Sequence, residues 1–320
     1  MDKLDNSNVS KHLGKSSQYT CFYDPELLVR EPRQSNRSHL SINDDELPFV
    51  GYDTWNGYEV TGLTESGLPV FCIVKVMYRC DNPYIVESKS MKLYFNSFSM
   101  TRMGDTNEEV INNIVATSKK DLSNLLETDV EVCAFTTKCL DVIDNEIYCE
   151  TSEDTYSFVG DRVHVFATLD KVLTDVSIDY KDDFNITDYN ENPDIIEVSE
   201  YDYDIGCGFH SALLRSRCRV TSQPDSGDVY IYVKGKKQPT AKSLLKYIVS
   251  FRDECHFHEE ICETIYKRLY DILEPEELVV RCLYARRGGW DINPERASSE
   301  KLLHPNLKDV TKLHKKTMRQ

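Results

Sequence analysis

The stretch Ser88–Phe98, SKSMKLYFNSF, decides the fold because a related stretch, Ala241–Phe251 or AKSLLKYIVSF, returns 153 residues later. Five of the eleven aligned positions are identical, and Met91 in the first copy is matched by Leu244 in the second. The pairing predicts that the chain contains the same small module twice, provided that the flanking segments also correspond.

The flanking segments do correspond. Before each copy, β-branched and aromatic residues predict a strand, and after each copy apolar residues that recur every three or four positions predict a helix. The predicted strands are Pro69–Cys80 and Gly227–Gly235, the predicted helices are Thr106–Leu126 and His256–Leu273, and further strands follow at Val130–Phe135 and Leu278–Arg286. The sequence therefore predicts an α+β protein built from two related modules in tandem.

Charge divides the chain in the same way. The net charge is −16 over 320 residues, and residues 141–206 alone hold 19 acidic and three basic side chains, whereas residues 207–320 carry +6. A solvated connector is the ordinary explanation of such an acidic block, and the basic part would suit an anionic cofactor or substrate. We predict an N-terminal extension (1–45), a first module (46–140), an acidic connector (141–206), a second module (207–300) and a basic C-terminal tail (301–320).

The composition argues against several classes of protein. No secretory signal opens the chain, and no stretch approaches the ~20 apolar residues of a membrane span, so we expect a soluble, cytoplasmic protein. The eleven cysteines are scattered without any Cys-x-x-Cys pair, which argues against a disulfide framework or a structural zinc site.

A thiol, a carboxyl group and an imidazole occur in the second half of the chain. Cys218 lies seven residues before Asp225, on what Pro224 predicts to be an extended loop leading into the next strand. His258 and Glu259 follow on a predicted helix. These are the parts needed for covalent catalysis with proton transfer, although a lone cysteine is more often inert and a histidine on an apolar helix face is more often a core residue.

Neighbouring residues leave alternatives open. Arg217 and Arg219 flank the cysteine and would favour its thiolate if either side chain lies near the sulfur. His256 competes with His258 for the role of acid/base group. The run HFHEE and the preceding Cys255 could hold a metal, but histidines two positions apart point to different sides of a helix, so we expect no metal site.

No Rossmann turn is predicted. Gly206–Ser211, GCGFHS, lacks the third glycine and follows EYDYDI instead of an apolar strand. A nicotinamide cofactor would have to use Lys89, Lys92 or the run Arg286–Pro294, RRGGWDINP. The arginines of that run could hold phosphates and its glycines would let backbone approach a ligand, although the same run could be an ordinary turn after a strand.

Together these motifs resemble a known family, the bimodular NADPH-dependent 7-cyano-7-deazaguanine reductases (QueF) of queuosine biosynthesis. The run ESKSMKLYFNSF looks like that family's Glu-Ser-Lys-Ser-hydrophobic-Lys motif, and similarity extends from about Leu13 to Ser298. It includes LPFVGYDTWNGYEV (47–60), VTSQPD (220–225), LLKYIVSFRDECHFHEE (244–260) and RRGGWDINP (286–294). The resemblance implies two tandem tunnelling-fold (T-fold) modules, each an antiparallel sheet with helices on one face, in a head-to-head homodimer.

The resemblance also implies a reaction, the reduction of the nitrile 7-cyano-7-deazaguanine to 7-aminomethyl-7-deazaguanine with two NADPH used in turn, and no direct nucleic-acid or membrane partner. Cys218 would be the nucleophile that forms a thioimide, Asp225 the proton donor and His258 a second acid/base group. The substrate would be held by Glu87, Ser88 and Glu259. NADPH would contact Ser88, Lys89, Ser90, Lys92, Arg287 and Gly288.

This chemistry explains the residue types. A nitrile carbon accepts hydride poorly, whereas a thioimide accepts it readily, so covalent capture divides one hard step into easier ones. The nitrogen must gain a proton as sulfur adds, and we expect partial burial to keep Asp225 protonated near neutrality. Two carboxylates, Glu87 and Glu259, would suit the donors of a guanine-like edge. Since Glu87 belongs to the first module and Cys218 to the second, we expect the site at the seam between them.

Three features depart from the pattern of the bimodular relatives. Ser226 stands where they have tryptophan, Arg219 replaces a smaller or apolar residue, and the acidic block is longer. Two other functions are compatible with parts of the pattern. One is an amidine-forming relative that captures the nitrile but transfers nitrogen instead of hydride, against which the intact run ESKSMKLY speaks. The other is a noncatalytic protein that binds a purine-like ligand.

Overall fold

The structure is a computed structural model that describes residues 21–136, 167–168, 186–187, 189–219 and 221–320. Residues 1–20 of the predicted extension and most of the predicted acidic connector therefore lie outside the described residues. Within the described ranges, no helix is both long and apolar enough to cross a membrane.

Eleven strands and five α-helices are described. The strands are β1 (Arg30–Pro32), β2 (Val50–Thr64), β3 (Pro69–Arg79), β4 (Tyr84–Val86), β5 (Arg102–Gly104), β6 (Val130–Phe135), β7 (Ala167–Thr168), β8 (Val198–Arg217), β9 (Pro224–Pro239), β10 (Glu277–Tyr284) and β11 (Trp290–Ala297). The helices are α1 (Gln34–Arg37), α2 (Ser88–Ser97), α3 (Asn107–Leu126), α4 (Ala241–Ser250) and α5 (His258–Leu273).

One sheet runs through both modules in the order β6-β3-β2-β11-β10-β9-β8-β7, while β5 pairs with β2 at the side. Neighbouring strands are antiparallel except for the short pairs β2–β5 and β7–β8. The two modules meet where β11 pairs with β2, in a register that runs from Trp290 opposite Gly57 to Ala297 opposite Val50. The chain thus joins its two modules edge to edge in a continuous sheet.

The helices lie on one face of this sheet. Strand side chains alternate between faces, and in β11 Trp290 and Ile292 pack into the core under α2 and α3, while Arg296 on the same face pairs with Glu263 of α5. A second apolar core lies between α4, α5 and strands β8–β10. The opposite face carries residues 301–320, whose Leu302, Leu303 and Leu307 are buried against the strands. The predicted α+β class, with helices on one face of an antiparallel sheet, is confirmed.

One local prediction was wrong at its boundary. The loop that begins at Cys218 ends earlier than predicted, because β9 already starts at Pro224, where a proline is tolerated as the first residue of a strand. Gly206–Ser211 lies inside β8, a strand that the sequence analysis did not predict. That strand begins at Val198, and the sequence concealed its first half because Tyr201 and Tyr203 are exposed, which leaves no alternating apolar pattern.

A buried ionic cluster ties the modules together at the seam. Asp53 of β2 accepts hydrogen bonds from Arg33 at 2.5 Å and from Arg296 at 2.8 Å. Glu263 accepts from Arg37 and Arg296, each at 2.8 Å. Loss of a single member would leave a buried charge without compensation, which costs about 3–5 kcal/mol. This cluster therefore fixes the position of α5, and with it the residues at the start of that helix.

Candidate active site

Cys218 lies on a tight turn between β8 and β9. Its N–H donates to the carbonyl of Gln223 at 2.8 Å, and the N–H of Ser222 donates to the carbonyl of Cys218 at 2.9 Å. Ser222 takes a left-handed conformation with φ of 55° to close the turn. The turn holds the nucleophile candidate at the edge of a cavity, where Cys218 keeps 6% of its surface exposed.

That cavity has a volume of about 310 Å³ and draws on both modules. It is lined by Glu87, Ser88, Lys89 and Lys92 from the first module, and by Cys218, Thr221, Gln223, Arg287 and Gly288 from the second. Thr221 and Gln223 were missed as lining residues by the sequence analysis, although both stand in the quoted run VTSQPD. The structure therefore brings most of the predicted residues to one place, at the seam.

Asp225 is the second residue of β9, the strand that follows the turn, and its side chain is buried. Arg287 donates a short hydrogen bond to its carboxylate, and Nε2 of His258 lies 3.7 Å from its Oδ1, an ion-pair distance. Burial by itself would raise the pKa of Asp225, but His258, Arg287 and Lys92 together hold that pKa below its ordinary value. The expectation of a carboxyl group protonated near neutrality was wrong, because it counted burial and left out the three side chains that lower the pKa.

His258 is the first residue of α5, a position set by the start of that helix. Oε2 of Glu260 accepts from the N–H of Phe257 at 2.9 Å, which caps the helix from its third residue. The imidazole of His258 packs edge-on against Tyr284, with ring centroids 4.0 Å apart. His258 is thus held between an aromatic ring and Asp225, and its side chain keeps 13% of its surface exposed.

His256, the alternative acid/base candidate, has a different environment. Its two ring nitrogens lie 3.2 Å from Glu254 and 3.3 Å from Glu260. Burial would lower the pKa of His256, but the hydrogen bonds to Glu254 and Glu260 raise it to about 9. An imidazole held as a cation by two carboxylates is poorly suited to exchange protons near neutrality. Among the described residues, no three His, Cys, Asp or Glu side chains converge on a possible metal site.

The arginines beside the cysteine each pair with an acid. Arg217 donates to Asp253 at 2.5 Å, and Arg219 pairs with Glu260 at 2.8 Å. These acids belong to the segment before α5 and to α5 itself. Lys92, from the other module, has an electrostatic interaction with Cys218.

Glu87 is the N-cap of α2, a role that the sequence analysis did not anticipate. Its Oε1 accepts from the N–H of Lys89 at 2.8 Å and its Oε2 from the N–H of Ser90 at 2.6 Å. A carboxylate has about four acceptor sites, so Glu87 retains capacity for a ligand in the cavity that it lines. Ser90 is fully buried, and its hydroxyl donates to the carbonyl of Glu87 and accepts from the N–H of Val29. Ser90 therefore supports the start of the helix, and its contact with NADPH stays a prediction.

Glu259 is buried and incompletely paired. Only 2% of its surface is exposed, and its Oε1 has no hydrogen-bond partner within the described part of the chain. Burial and the nearby charge of Asp53 raise the pKa of Glu259 to about 8. A buried carboxyl oxygen without a partner is costly, so this group is prepared for a ligand that brings hydrogen-bond donors.

The cavity mouth is cationic. Burial, with Arg287 next to it, lowers the pKa of Lys92 to about 8, a value that still leaves most of the group charged at neutral pH. Arg287 stands on a turn whose next residues, Gly288 and Gly289, have φ of 59° and 77°. A side chain would be strained at both positions. RRGG is therefore a turn after a strand, as one interpretation had it, and it also lines the cavity.

Comparisons with known proteins place both modules in one family. A family model described as "Nitrile reductase, 7-cyano-7-deazaguanine-reductase N-term" matches residues 19–134, and one described as "QueF-like protein" matches residues 224–302. A Legionella pneumophila (strain Lens) protein named NADPH-dependent 7-cyano-7-deazaguanine reductase is 36% identical over 287 residues, which make up 89% of each chain. A Colwellia psychrerythraea protein of the same name is 36% identical over 290 residues, 89% of this chain and 91% of its own. The solved structure of "the archaeosine synthase QueF-Like in the apo form" covers 30% of this chain and 95% of its own at 15% identity, with a TM-score of 0.26, too low to carry an argument.

Proposed function

The chain belongs to the NADPH-dependent 7-cyano-7-deazaguanine reductase family, and from this membership we propose that it reduces 7-cyano-7-deazaguanine to 7-aminomethyl-7-deazaguanine in queuosine biosynthesis. The observation that carries the proposal is the cavity in which the Cys218 thiol of one module faces the Glu87–Lys92 segment of the other. A nucleophile and a cationic mouth in one cavity are what a covalent, NADPH-dependent reduction requires.

The first step forms a bond between Cys218 Sγ and the nitrile carbon. The thiol must lose its proton and the nitrile nitrogen must gain one. Asp225 is a carboxylate in the ligand-free protein, because its pKa lies below the ordinary value. It can therefore take the proton from the thiol and pass it to nitrogen, which gives a thioimide with no net gain or loss of protons.

In the steps that follow, the carbon–sulfur bond breaks again. Bound NADPH supplies hydride to the carbon twice, from two molecules in turn. After the first reduction the nitrogen takes up a proton and sulfur leaves as a thiolate, which forms the imine. His258, at 3.7 Å from Asp225, can supply and restore protons through that carboxylate. In total, one nitrile, two hydrides and two protons give one primary amine, and Cys218 returns to a thiol.

Glu259 and Glu87 are proposed to bind the pyrimidine edge of the substrate, with Ser88 beside them. The amide and amino N–H groups of a guanine-like edge are the donors that the unpaired Oε1 of Glu259 lacks. A base without these donors would leave a buried acceptor unpaired, at a cost of about 1–3 kcal/mol, so this pair can select a guanine-like base.

The cationic residues of the cavity are proposed to bind NADPH. Lys89, Lys92 and Arg287 line the cavity and supply the positive charge that phosphate groups need, and Gly288 leaves room for a ligand to approach the backbone. These residues are proposed to bind the phosphates, to orient the nicotinamide toward the carbon held by Cys218, and to exclude water with the surrounding strands.

The experiment follows NADPH absorbance in the presence of the nitrile. Cys218→Ala should abolish substrate-dependent NADPH oxidation, while Cys255→Ala, at an exposed cysteine on the adjacent segment, should keep it. Turnover that survives in Cys218→Ala would refute the mechanism. Formation of an adduct without NADPH oxidation in the unmodified protein would instead favour nitrogen transfer.

We also propose that the protein is a homodimer and that it is located in the cytoplasm. The nine described cysteines are all free, as a thiol nucleophile requires. Sedimentation should give twice the 37.0 kDa mass of one chain, and a monomer at working concentration would contradict the dimer.

A further inference from the structure

Residues 301–320, here called the C-terminal segment, are fixed on the face of the sheet opposite the described α-helices α2–α5. Nζ of Lys75, a fully buried lysine in β3, donates to the carbonyls of Asn306, Asp309 and Lys312 at 2.5, 2.6 and 2.7 Å. Thr54 of β2 donates to the carbonyl of Leu307 at 2.9 Å. These contacts hold in place the segment that the sequence analysis described as a basic C-terminal tail.

The end of the segment contacts the strands on either side of the RRGG turn. Lys316 Nζ donates to Oδ2 of Asp291 in β11 at 3.1 Å. Gln320 donates from Nε2 to the carbonyl of Tyr284, the last residue of β10, at 3.2 Å, and to Oδ1 of Asn293 at 2.5 Å. The segment therefore holds both strands from which the turn arises.

Asp291 connects Lys316 to the RRGG turn through Tyr58. Its Oδ2 accepts from Tyr58 at 2.5 Å as well as from Lys316. The guanidinium of Arg286 lies over the Tyr58 ring at 3.3 Å from the centroid, and the N–H of Tyr58 donates to the carbonyl of Gly289 at 2.8 Å. Tyr58 thus contacts the RRGG turn at both of its ends, Arg286 and Gly289.

Arg287 lies between Arg286 and Gly289, the two residues that Tyr58 contacts. It is the residue of the turn that reaches Asp225 and lines the cavity. The long side chain of an arginine on a turn can take many positions. Its guanidinium can bind a ligand in one defined geometry only when the backbone of the turn is held in place. The two residues directly after Arg287 are glycines with positive φ. Because glycine restricts the backbone little, the turn needs contacts from other segments to keep one conformation.

We propose that Lys316 and Gln320 are positioning residues for Arg287, acting through Asp291 and Tyr58, and that the C-terminal segment thereby sets the affinity of the site for NADPH. The proposal rests on the proposed function, since it takes Arg287 as a contact of the cofactor phosphates. It gives residues 301–320, which lie opposite the described α-helices, a role in the reaction proposed at the cavity.

The test compares Lys316→Met and Gln320→Ala with Lys315→Met, a matched change at an exposed lysine of the same segment. We expect the first two to raise the KM for NADPH about tenfold, with the thioimide adduct still formed in the absence of NADPH, and Lys315→Met to change neither. Lys316→Arg should restore the KM, because a guanidinium can still donate to Asp291.

A double-mutant cycle separates positioning from general support. If Lys316 acts through Arg287, Lys316→Met should add no further increase in KM to that of Arg287→Ala. Fully additive effects, or a lower thermal midpoint with an unchanged KM, would overturn the proposal. Failure of the unmodified protein to form the adduct or oxidise NADPH would instead remove the proposed function, so the two failures can be told apart.

Discussion

The two copies of the repeated stretch, α2 and α4, share their supporting contacts and differ where they face the cavity. Ser90 and Ser243 each accept a hydrogen bond at 3.0 Å from a backbone N–H of the segment that enters their module. Ser97 and Ser250 each donate to the carbonyl of the tyrosine three residues earlier, at 2.6 and 2.7 Å. The identities therefore preserve the module.

Two differences between the copies lie at the cavity. Glu87 caps α2 and Thr240 caps α4, and Lys92 lines the cavity where Leu245 is buried in the core. The strands that open with proline also differ, since Val70 follows Pro69 in β3 and Asp225 follows Pro224 in β9. Glu87, Lys92 and Asp225 each lack a charged counterpart in the other module, which makes them candidates for the chemistry.

The largest effect should come from Asp225→Asn. An amide cannot carry the proton from sulfur to nitrogen, so we expect turnover to fall on the order of 10²–10⁴-fold. Steady-state NADPH oxidation measures it. The control is Asp228→Asn in the same strand, which removes a contact with His210 at 3.1 Å and should retain activity. Equal losses in both variants would mean that the strand, and not the carboxylate, matters.

Glu259→Gln should weaken substrate binding by about 10–100-fold, because the amide replaces one of the two carboxyl oxygens by an NH₂ group that cannot accept from the substrate's donors. Isothermal titration with the nitrile measures it in the Cys218→Ala background, which prevents adduct formation. Glu108, at the same position of α3, is exposed and supplies the control Glu108→Gln. Unchanged affinity in Glu259→Gln would remove this residue from the substrate site.

The same residue predicts a pH dependence of stability. The folded-state pKa of Glu259 is raised to about 8 from an ordinary 4.5. The contribution of this carboxyl group to the free energy of unfolding is therefore fully present below about pH 4.5 and is lost as pH rises through 8. Glu259→Gln should therefore make the free energy of unfolding fall less between pH 5 and pH 9. Denaturant titrations across that range measure the difference, and parallel profiles for the two proteins would contradict the buried, protonated carboxyl group.

Lys92→Leu makes the first copy resemble the second at this position. We expect the KM for NADPH to rise about 10-fold or more, because a charged donor to phosphate is lost. Lys242→Met, at the counterpart of Lys89, is the control and should leave the KM unchanged, whereas Lys89→Met should raise it. A rise with Lys242→Met as large as with Lys89→Met would mean that net charge alone determines the affinity.

The smallest effect concerns the caps. Glu87→Ala and Thr240→Ala each remove an N-cap and should each lower the free energy of unfolding by about 1 kcal/mol. Only Glu87→Ala should also weaken substrate binding. Chemical denaturation and titration of both variants test this, and a loss of binding in Thr240→Ala would show that helix stability explains the effect in either copy.

Much of this organisation could be predicted from the sequence. Periodic apolar residues identified β3, β6, α3 and α5, because each buries one face against the core. Motif chemistry identified Cys218, Asp225 and Lys92. The ionisation of Asp225 could not be predicted, since the three side chains that lower its pKa come from segments 133, 33 and 62 residues away in the chain. The Asp291–Tyr58 contact was equally hidden, because sequence does not give the side-chain contacts between β2 and β11.

The most direct test of the account is the mass of the intact protein mixed with 7-cyano-7-deazaguanine in the absence of NADPH. The account predicts a gain equal to one substrate molecule per chain, located on the peptide that carries Cys218 and absent from Cys218→Ala. Tight binding of the nitrile to the unmodified protein without any gain in mass would contradict it.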